Sequence, residues 1–108
     1  MTVKAFADEL GFTALSLPCP DREVSGAYIG DLLSWVMGRA EAGNVWITIM
    51  SNQNIAAVAT LADVACILLA EEVIPDAEVL RIAEEKGINI LATKLSAFEA
   101  AKRISAYV

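Results

Sequence analysis

The sequence predicts an α/β fold, with a mostly parallel open sheet of about four strands and helices on both of its faces. Three apolar runs rich in β-branched residues, at residues 45–50, 64–69 and 88–93, are each followed by a polar turn and a segment of helical periodicity. None of these runs has a polar face, which is typical of parallel strands covered on both sides. The alternation of strand and helix indicates right-handed crossovers within one sheet.

The composition describes a small, acidic, strongly apolar domain. The chain has 108 residues, which corresponds to a single domain over residues 1–108. Hydrophobic residues make up 56%, and 8 basic against 14 acidic residues leave a net charge of −6. These values exclude a disordered tail and argue against a nucleic-acid partner held by phosphate contacts. Because a small domain cannot hide so much apolar surface, we expect some of it to meet another chain.

The sequence also predicts a cytoplasmic protein that does not associate with membranes or bind a metal. The first ten residues lack the basic segment and apolar core of a signal peptide. The longest apolar stretch, residues 55–70, is interrupted by Asp63 and is too short to cross a bilayer of about 30 Å. Cys19 and Cys66 form neither a zinc nor a disulfide pattern, as expected in a reducing compartment.

The N-terminal part of the chain is predicted to contain two helices and a strand. Apolar residues at helical spacing predict a first helix over residues 2–10, ended by Gly11. Residues 13–17 alternate as a short strand, and a proline-containing loop follows at residues 18–22. A second helix is predicted over residues 27–42, and its apolar residues cover more of its circumference than one core-facing side needs.

The remaining helices follow the three apolar strands. Residues 53–62 carry almost no charge, which predicts a helix buried nearly all round. The helix over residues 75–86 begins at a proline and ends before a glycine. Ser96 and Glu99 form a capping box for the last helix. Its apolar face is predicted to contain Phe98, Ala101, Ile104 and Tyr107.

A ligand site, if the chain has one, is expected at one edge of the sheet. Ligands of open α/β sheets bind beyond the carboxyl ends of the strands. The turns at residues 18–25, 51–54, 70–74 and 93–96 are therefore predicted to share that edge. The candidate ligand-binding residues are Ser51, Asn52, Asn54, Glu71, Glu72 and Lys94.

The sequence predicts neither an enzyme nor a cofactor. The chain has no His, which removes the commonest general base at neutral pH. Residues 38–43 match only the first spacing of a phosphate-binding P-loop and follow a helix rather than a strand. Residues 26–30 lack the third glycine of a dinucleotide-binding turn. No catalytic residue is therefore assigned.

Two alternatives with chemical activity stay open. Asp21 with Arg22, or Glu71 with Glu72, would supply an acid/base pair, although adjacent loop charges are usually solvated. Cys19 lies near Arg22, whose positive charge would make its thiol reactive. The simpler interpretation of Cys19 is an inert loop cysteine.

Self-association is the preferred explanation for the surplus of apolar residues. The predicted second helix is apolar on more than one side, and aromatic and Met residues are enriched at interfaces. The sequence therefore predicts a homodimer. Its candidate interface residues are Tyr28, Leu32, Trp35, Val36 and Met37.

From Asp21 to its C-terminus the chain resembles the DRTGG domain, a small α/β module related to the N-terminal domain of HPr kinase/phosphorylase. The likeness rests on four segments: residues 25–30 before a helix, Ile47-Thr48 at a strand end, residues 67–69 with Pro75 shortly after, and residues 96–98. The resemblance implies the α/β fold of that family. It also implies a regulatory role, and stand-alone copies associated with hydrogenase-type redox systems of anaerobes, so that the partner is expected in a redox or metabolic complex.

The two motifs that give the family its name are not kept. Where the family has Gly-Asp-Arg and then Asp, this chain has residues 50–54, and Ala70, Glu71 and Glu72 replace Thr-Gly-Gly. Glycines let backbone N–H groups approach a ligand, and Arg binds phosphate. We therefore expect weak or no binding of an anionic ligand such as a nucleotide. The alternative to a regulatory or assembly module is a small-molecule or nucleotide sensor at this edge.

Overall fold

The chain forms five strands and five helices, described over residues 1–108 by a computed structural model. The elements are α1 (Val3–Leu10), β1 (Thr13–Ser16), β2 (Ala27–Ile29), α2 (Leu33–Arg39), β3 (Val45–Thr48), α3 (Asn54–Ala62), β4 (Cys66–Leu69), α4 (Ala77–Lys86), β5 (Ile90–Ala92) and α5 (Ala97–Ile104). The strands form one sheet in the order β1-β5-β4-β3-β2. Strands β2 to β5 are parallel, whereas β1 runs antiparallel to β5. The α/β prediction is confirmed, with a mixed sheet of five strands.

The sheet separates two hydrophobic cores. Alternate side chains of a strand point to opposite faces, so Val45 and Ile47 pack beneath α1 and α5 while Trp46 packs beneath α2, α3 and α4. Every residue of β3 and β4 is buried. Coverage on both sides is therefore confirmed for β3 and β4, and in β5 Ile90 and Leu91 are buried while Ala92 is partly exposed.

Several helix ends follow the predicted signals. The Thr2 side chain accepts a hydrogen bond from the Ala5 N–H at 3.1 Å, and Ser96 accepts one from the Glu99 N–H at the same distance. Gly11 and Gly87 end α1 and α4 with φ of 73° and 74°, which is the left-handed conformation that glycine adopts without strain.

The prediction of one helix over residues 27–42 is wrong. Ala27–Ile29 form strand β2 beside β3, and the helix covers only Leu33–Arg39. The segment between them contains Gly30, and the indole N–H of Trp46 donates to the Gly30 carbonyl at 2.9 Å. Residues 27–29 therefore form a strand because they pair with β3, although their local sequence pattern predicts a helix.

Of two predictions about helix burial, the one for α3 is wrong, and the one for α5 is right for Ala101 and Ile104 but wrong for Phe98 and Tyr107. Helix α3 buries one side only, and Leu61 on its other side is exposed. In α5 the core-facing residues are Ala100 and Ile104, whereas Phe98 is exposed. No helix of the protein has both the length and the apolar character needed to cross a membrane.

Candidate functional site

The carboxyl ends of the four parallel strands lie at one edge of the sheet. The loops that leave them cover residues 30–32, 49–53, 70–76 and 93–96. The prediction that the loop at residues 18–25 joins them is wrong. Because β1 runs antiparallel to β5, that loop leaves from the opposite edge.

Cys19 and Arg22, which the sequence analysis considered for chemistry, lie at that opposite edge, and the Arg22 side chain is held by hydrogen bonds. The Arg22 guanidinium donates to the Asp63 carboxylate at 3.0 Å and to the Asp63 carbonyl at 2.8 Å, next to the C-terminus of α3. Arg22 and Cys19 line a cleft of about 230 Å³ there. Cys66 is buried in β4, and burial raises the pKa of its thiol to about 12, so it stays protonated at neutral pH.

Asp31 lies in the loop after β2, at the edge of the sheet where the parallel strands end. The sequence analysis did not select it. One oxygen of its carboxylate accepts from the Thr48 hydroxyl at 2.8 Å and from the Ile49 N–H at 3.1 Å. These contacts join the end of β2 to the end of β3. The sequence carries no signal for this role, because Asp31 follows a strand that the local pattern does not reveal.

The turn after β4 keeps a glycine-like backbone without glycine. Glu71 and Glu72 both have φ of 60°, in the left-handed region, at the positions where the family pattern has two glycines. A side chain in this conformation costs about 1–2 kcal/mol per residue. The Glu71 N–H donates to the Leu95 carbonyl at 2.8 Å and the Glu72 N–H to the Thr93 carbonyl at 2.9 Å. These hydrogen bonds tie the turn to the loop that follows β5.

A shallow groove of about 180 Å³ lies beside this turn. Of the six predicted ligand-binding residues, Glu72 and Lys94 line it, with 3.8 Å between the ammonium and carboxylate groups. Both side chains are well exposed, so this ion pair contributes little to stability. The residues that line the groove are Thr13, Leu15, Glu72, Val73, Ile74, Ala92, Thr93 and Lys94.

The other predicted ligand-binding residues lie outside the groove. Glu71 belongs to the same turn without lining it, and Ser51 follows β3. The Asn52 side chain accepts from the Asn54 N–H at 2.9 Å, which ties down the start of α3. The structure therefore does not bring the six residues together in one pocket.

The predicted interface residues differ in exposure. Val36 is fully buried in the core and does not belong to the exposed surface, and Tyr28 is half-buried on β2 rather than on the helix. Leu32, Trp35 and Met37 are 57%, 51% and 44% exposed. Ile29, which the sequence analysis did not select, is 50% exposed.

Trp35 has a partner within its own helix. The Arg39 guanidinium lies over its ring, 3.8 Å from the centroid. Such a cation–π contact contributes about 0.5–1 kcal/mol at an exposed site. It covers one face of the indole and leaves about half of the residue in solvent.

The chain matches a known domain family and is similar in fold to a solved structure. The sequence model of the DRTGG domain matches residues 22–107. A similar solved structure contains the CBS and DRTGG domains of the regulatory region of Clostridium perfringens pyrophosphatase, complexed with its activator diadenosine tetraphosphate, with a TM-score of 0.75 and 14% identity. The alignment covers 94% of this chain and 44% of that chain, so this chain spans less than half of its neighbour. No curated protein matches the chain.

Proposed function

We propose that this chain, which belongs to the DRTGG domain family, is a non-catalytic regulatory or assembly domain that acts as a homodimer. The observation that carries this proposal is the concentration of half-exposed apolar side chains in the short segment that contains β2 and α2. We call this segment the β2–α2 patch, and its exposed apolar residues are Ile29, Leu32, Trp35 and Met37. Ile29 lies on the sheet face opposite α2, and Met37 lies on a different side of the helix from Trp35.

The chemistry of the β2–α2 patch is that of a protein interface. Asp31 is the only charged residue between Gly26 and Gly38, although the chain as a whole carries a net charge of −6. Interface centres are depleted in charged residues and enriched in aromatic residues and Met. Exposed apolar residues of this kind on a small domain favour association with another protein chain.

Light scattering after size-exclusion chromatography tests the homodimer. We expect a dimer at tens of micromolar protein, and we expect Leu32→Asp to weaken it at least about tenfold because it buries an unpaired charge. The matched control is Leu61→Asp, since Leu61 is also a strongly exposed leucine but lies on α3 outside the patch. A strictly monomeric native protein, or equal effects of the two substitutions, would contradict the proposal.

A second candidate function is a small-molecule sensor at the groove beside the Glu71-Glu72 turn. The observation in its favour is that the groove lies at the edge where ligands of open α/β sheets bind. Its volume of about 180 Å³ is below the range of about 300–1,000 Å³ that is usual for ligand pockets. Two carboxylates beside it also oppose an anionic ligand. The regulatory or assembly role as a homodimer is therefore better supported than the role of a small-molecule sensor.

Substituting the two glutamates tests the turn and the sensor together. Glu71→Gly with Glu72→Gly is expected to raise the melting temperature by about 4–8 °C, because removing the left-handed strain gains about 1 kcal/mol net of glycine's entropy. Glu71→Gln with Glu72→Gln keeps the strained side chains and is expected to show no such gain. Thermal unfolding monitored by circular dichroism measures both variants.

The same variants are then heated with diadenosine tetraphosphate, the activator of the pyrophosphatase neighbour. A ligand at 100 times its dissociation constant stabilises a fold by about 2.7 kcal/mol. If the groove is a nucleotide site blocked by charge, the nucleotide stabilises both variants and not the native chain. No stabilisation of any of the three proteins would refute the nucleotide-sensor candidate.

Three predictions from the sequence are untested. The cytoplasmic location, the association with a redox or metabolic complex, and the reactivity of Cys19 stay predictions. None of them is needed for the homodimer.

A further inference from the structure

We infer that the second copy pairs with this chain edge to edge, through antiparallel pairing of its β2 with β2 of this chain. The inference rests on the homodimer proposed above and specifies its geometry. Strand β2 is the outermost strand on its side of the sheet. A continuous sheet of ten strands would result from joining two five-stranded sheets at this edge.

The backbone of β2 is arranged to accept another strand. Its bonds to β3 come from alternate positions: the Gly26 carbonyl accepts from the Val45 N–H at 3.1 Å, and the Gly30 N–H donates to the Ile47 carbonyl at 3.2 Å. By the same alternation, the N–H and C=O groups of Ala27 and Ile29 face away from β3. Each chain therefore offers two donors and two acceptors at its outer edge.

The two edges of the sheet differ in how they are protected. At the β1 edge the pairing is irregular between Ala14 and Ser16, and prolines follow at positions 18 and 20. Bulges, prolines and charges are the devices that keep sheet edges from pairing with other chains. The β2 edge has none of them between residues 24 and 30. Apart from its short length of three residues, the β2 edge thus lacks the devices that protect the β1 edge, which favours an edge that is covered in the assembled protein.

A two-fold axis at Tyr28 satisfies all four outward groups of each chain. Ala27 then stands opposite Ile29 of the second copy, and each such pair exchanges two N–H to C=O hydrogen bonds. Because of the symmetry the contact contains two such pairs. Tyr28 faces its own symmetry mate in the closely spaced position, where Cα atoms are about 4.5 Å apart.

Helix α2 supplies the apolar part of the same contact. A standard interface takes about 800 Å² from each partner, which a strand of three residues does not provide alone. Helix α2 packs against α3 on one side and leaves Leu32 and Trp35 exposed. It lies on the sheet face that Tyr28 faces, so the two α2 helices become neighbours across the axis. Leu32 and Trp35 are thus the exposed apolar side chains on the α2 face of this contact, whereas Ile29 lies on the opposite face of the sheet.

Disulfide trapping tests the register of the pairing. In a Cys19→Ser background, Tyr28→Cys is expected to form an intermolecular disulfide under mild oxidation, because Cα atoms about 4.5 Å apart lie within disulfide range. Ile29→Cys is the matched control, since in this register Ile29 and its symmetry mate are diagonal neighbours about 7–8 Å apart. Equal cross-linking of the two variants would overturn the register.

A second pair of variants tests the edge without cross-linking. Ile29→Pro removes the outward N–H, whereas Ile29→Thr keeps it and loses a similar amount of apolar surface. Across the two-fold axis the proline deletes two hydrogen bonds, so we expect a dimer dissociation constant at least about 30-fold higher than that of Ile29→Thr. Circular dichroism checks that both variants stay folded.

The outcomes separate the two proposals. If the native protein is a dimer and Ile29→Pro dimerises as tightly as Ile29→Thr, the edge pairing is wrong while the homodimer stands. If the native protein is a monomer by light scattering, both proposals fail. A selective loss of the dimer in Ile29→Pro supports both.

Discussion

Replacing Trp46 by alanine is expected to lower the free energy of unfolding by about 4 kcal/mol. Trp46 is among the largest fully buried side chains and packs in the core beneath α2, α3 and α4. Its truncation leaves a cavity and also removes the hydrogen bond from the indole N–H to the Gly30 carbonyl. That hydrogen bond holds the segment between β2 and α2.

Urea unfolding at one fixed protein concentration measures this effect, because dissociation of a dimer would otherwise add to it. The control is Trp35→Ala, which removes the same residue type from a half-exposed position and is expected to cost about 1 kcal/mol, mostly the cation–π contact with Arg39. Trp46→Phe, which keeps most of the volume, is expected to fall between the two. Equal losses for Trp46→Ala and Trp35→Ala would contradict the burial of Trp46.

Replacing Asn89 by alanine is expected to lower the free energy of unfolding by about 3 kcal/mol, which is about 1 kcal/mol for each of three hydrogen bonds. The buried Asn89 amide accepts from the Cys19 N–H at 2.9 Å and donates to the Cys19 carbonyl at 2.8 Å and to the Ala65 carbonyl at 3.0 Å. These bonds attach the loop after β1 to the segments that lead into β4 and β5. Their loss leaves polar backbone groups without partners.

The matched control for Asn89 is Asn52→Ala. Asn52 is exposed and makes one local hydrogen bond to the Asn54 N–H, so its loss is expected to cost less than about 1 kcal/mol. Chemical denaturation of both variants gives the comparison. If Asn89→Ala is no more destabilising than Asn52→Ala, the loop after β1 does not depend on this side chain.

The Glu71-Glu72 turn combines two charged side chains with a backbone conformation that glycine favours. Its two carboxylates stand where the family pattern has glycines, yet both residues keep a positive φ. Hydrogen bonds to the Leu95 and Thr93 carbonyls over-determine the turn and offset the strain. The two glutamates therefore add charge and bulk to this edge of the sheet while their backbone stays in the left-handed region.

The structure brings together two of the six residues that the sequence predicts for a ligand site. Glu72 and Lys94 come together because β4 and β5 are neighbouring parallel strands whose following turns lie at one edge. Asp31 was missed, because its contacts with Thr48 and Ile49 depend on a strand that is visible only through pairing. Val36 was assigned to a surface although it is a core residue, because residues 32–37 are apolar on several sides of the helix and the sequence alone does not indicate which side faces the core.

The amino-acid sequence by itself determined the fold class, the three central strands and the family. Residues 45–50, 64–69 and 88–93 are continuous apolar runs, and burial on both faces is the only environment that suits them. Only the tertiary structure decided that Ala27–Ile29 is a strand and that β1 runs antiparallel. Strand pairing and direction depend on hydrogen bonds between residues far apart in the chain, which a local pattern of polar and apolar residues does not encode.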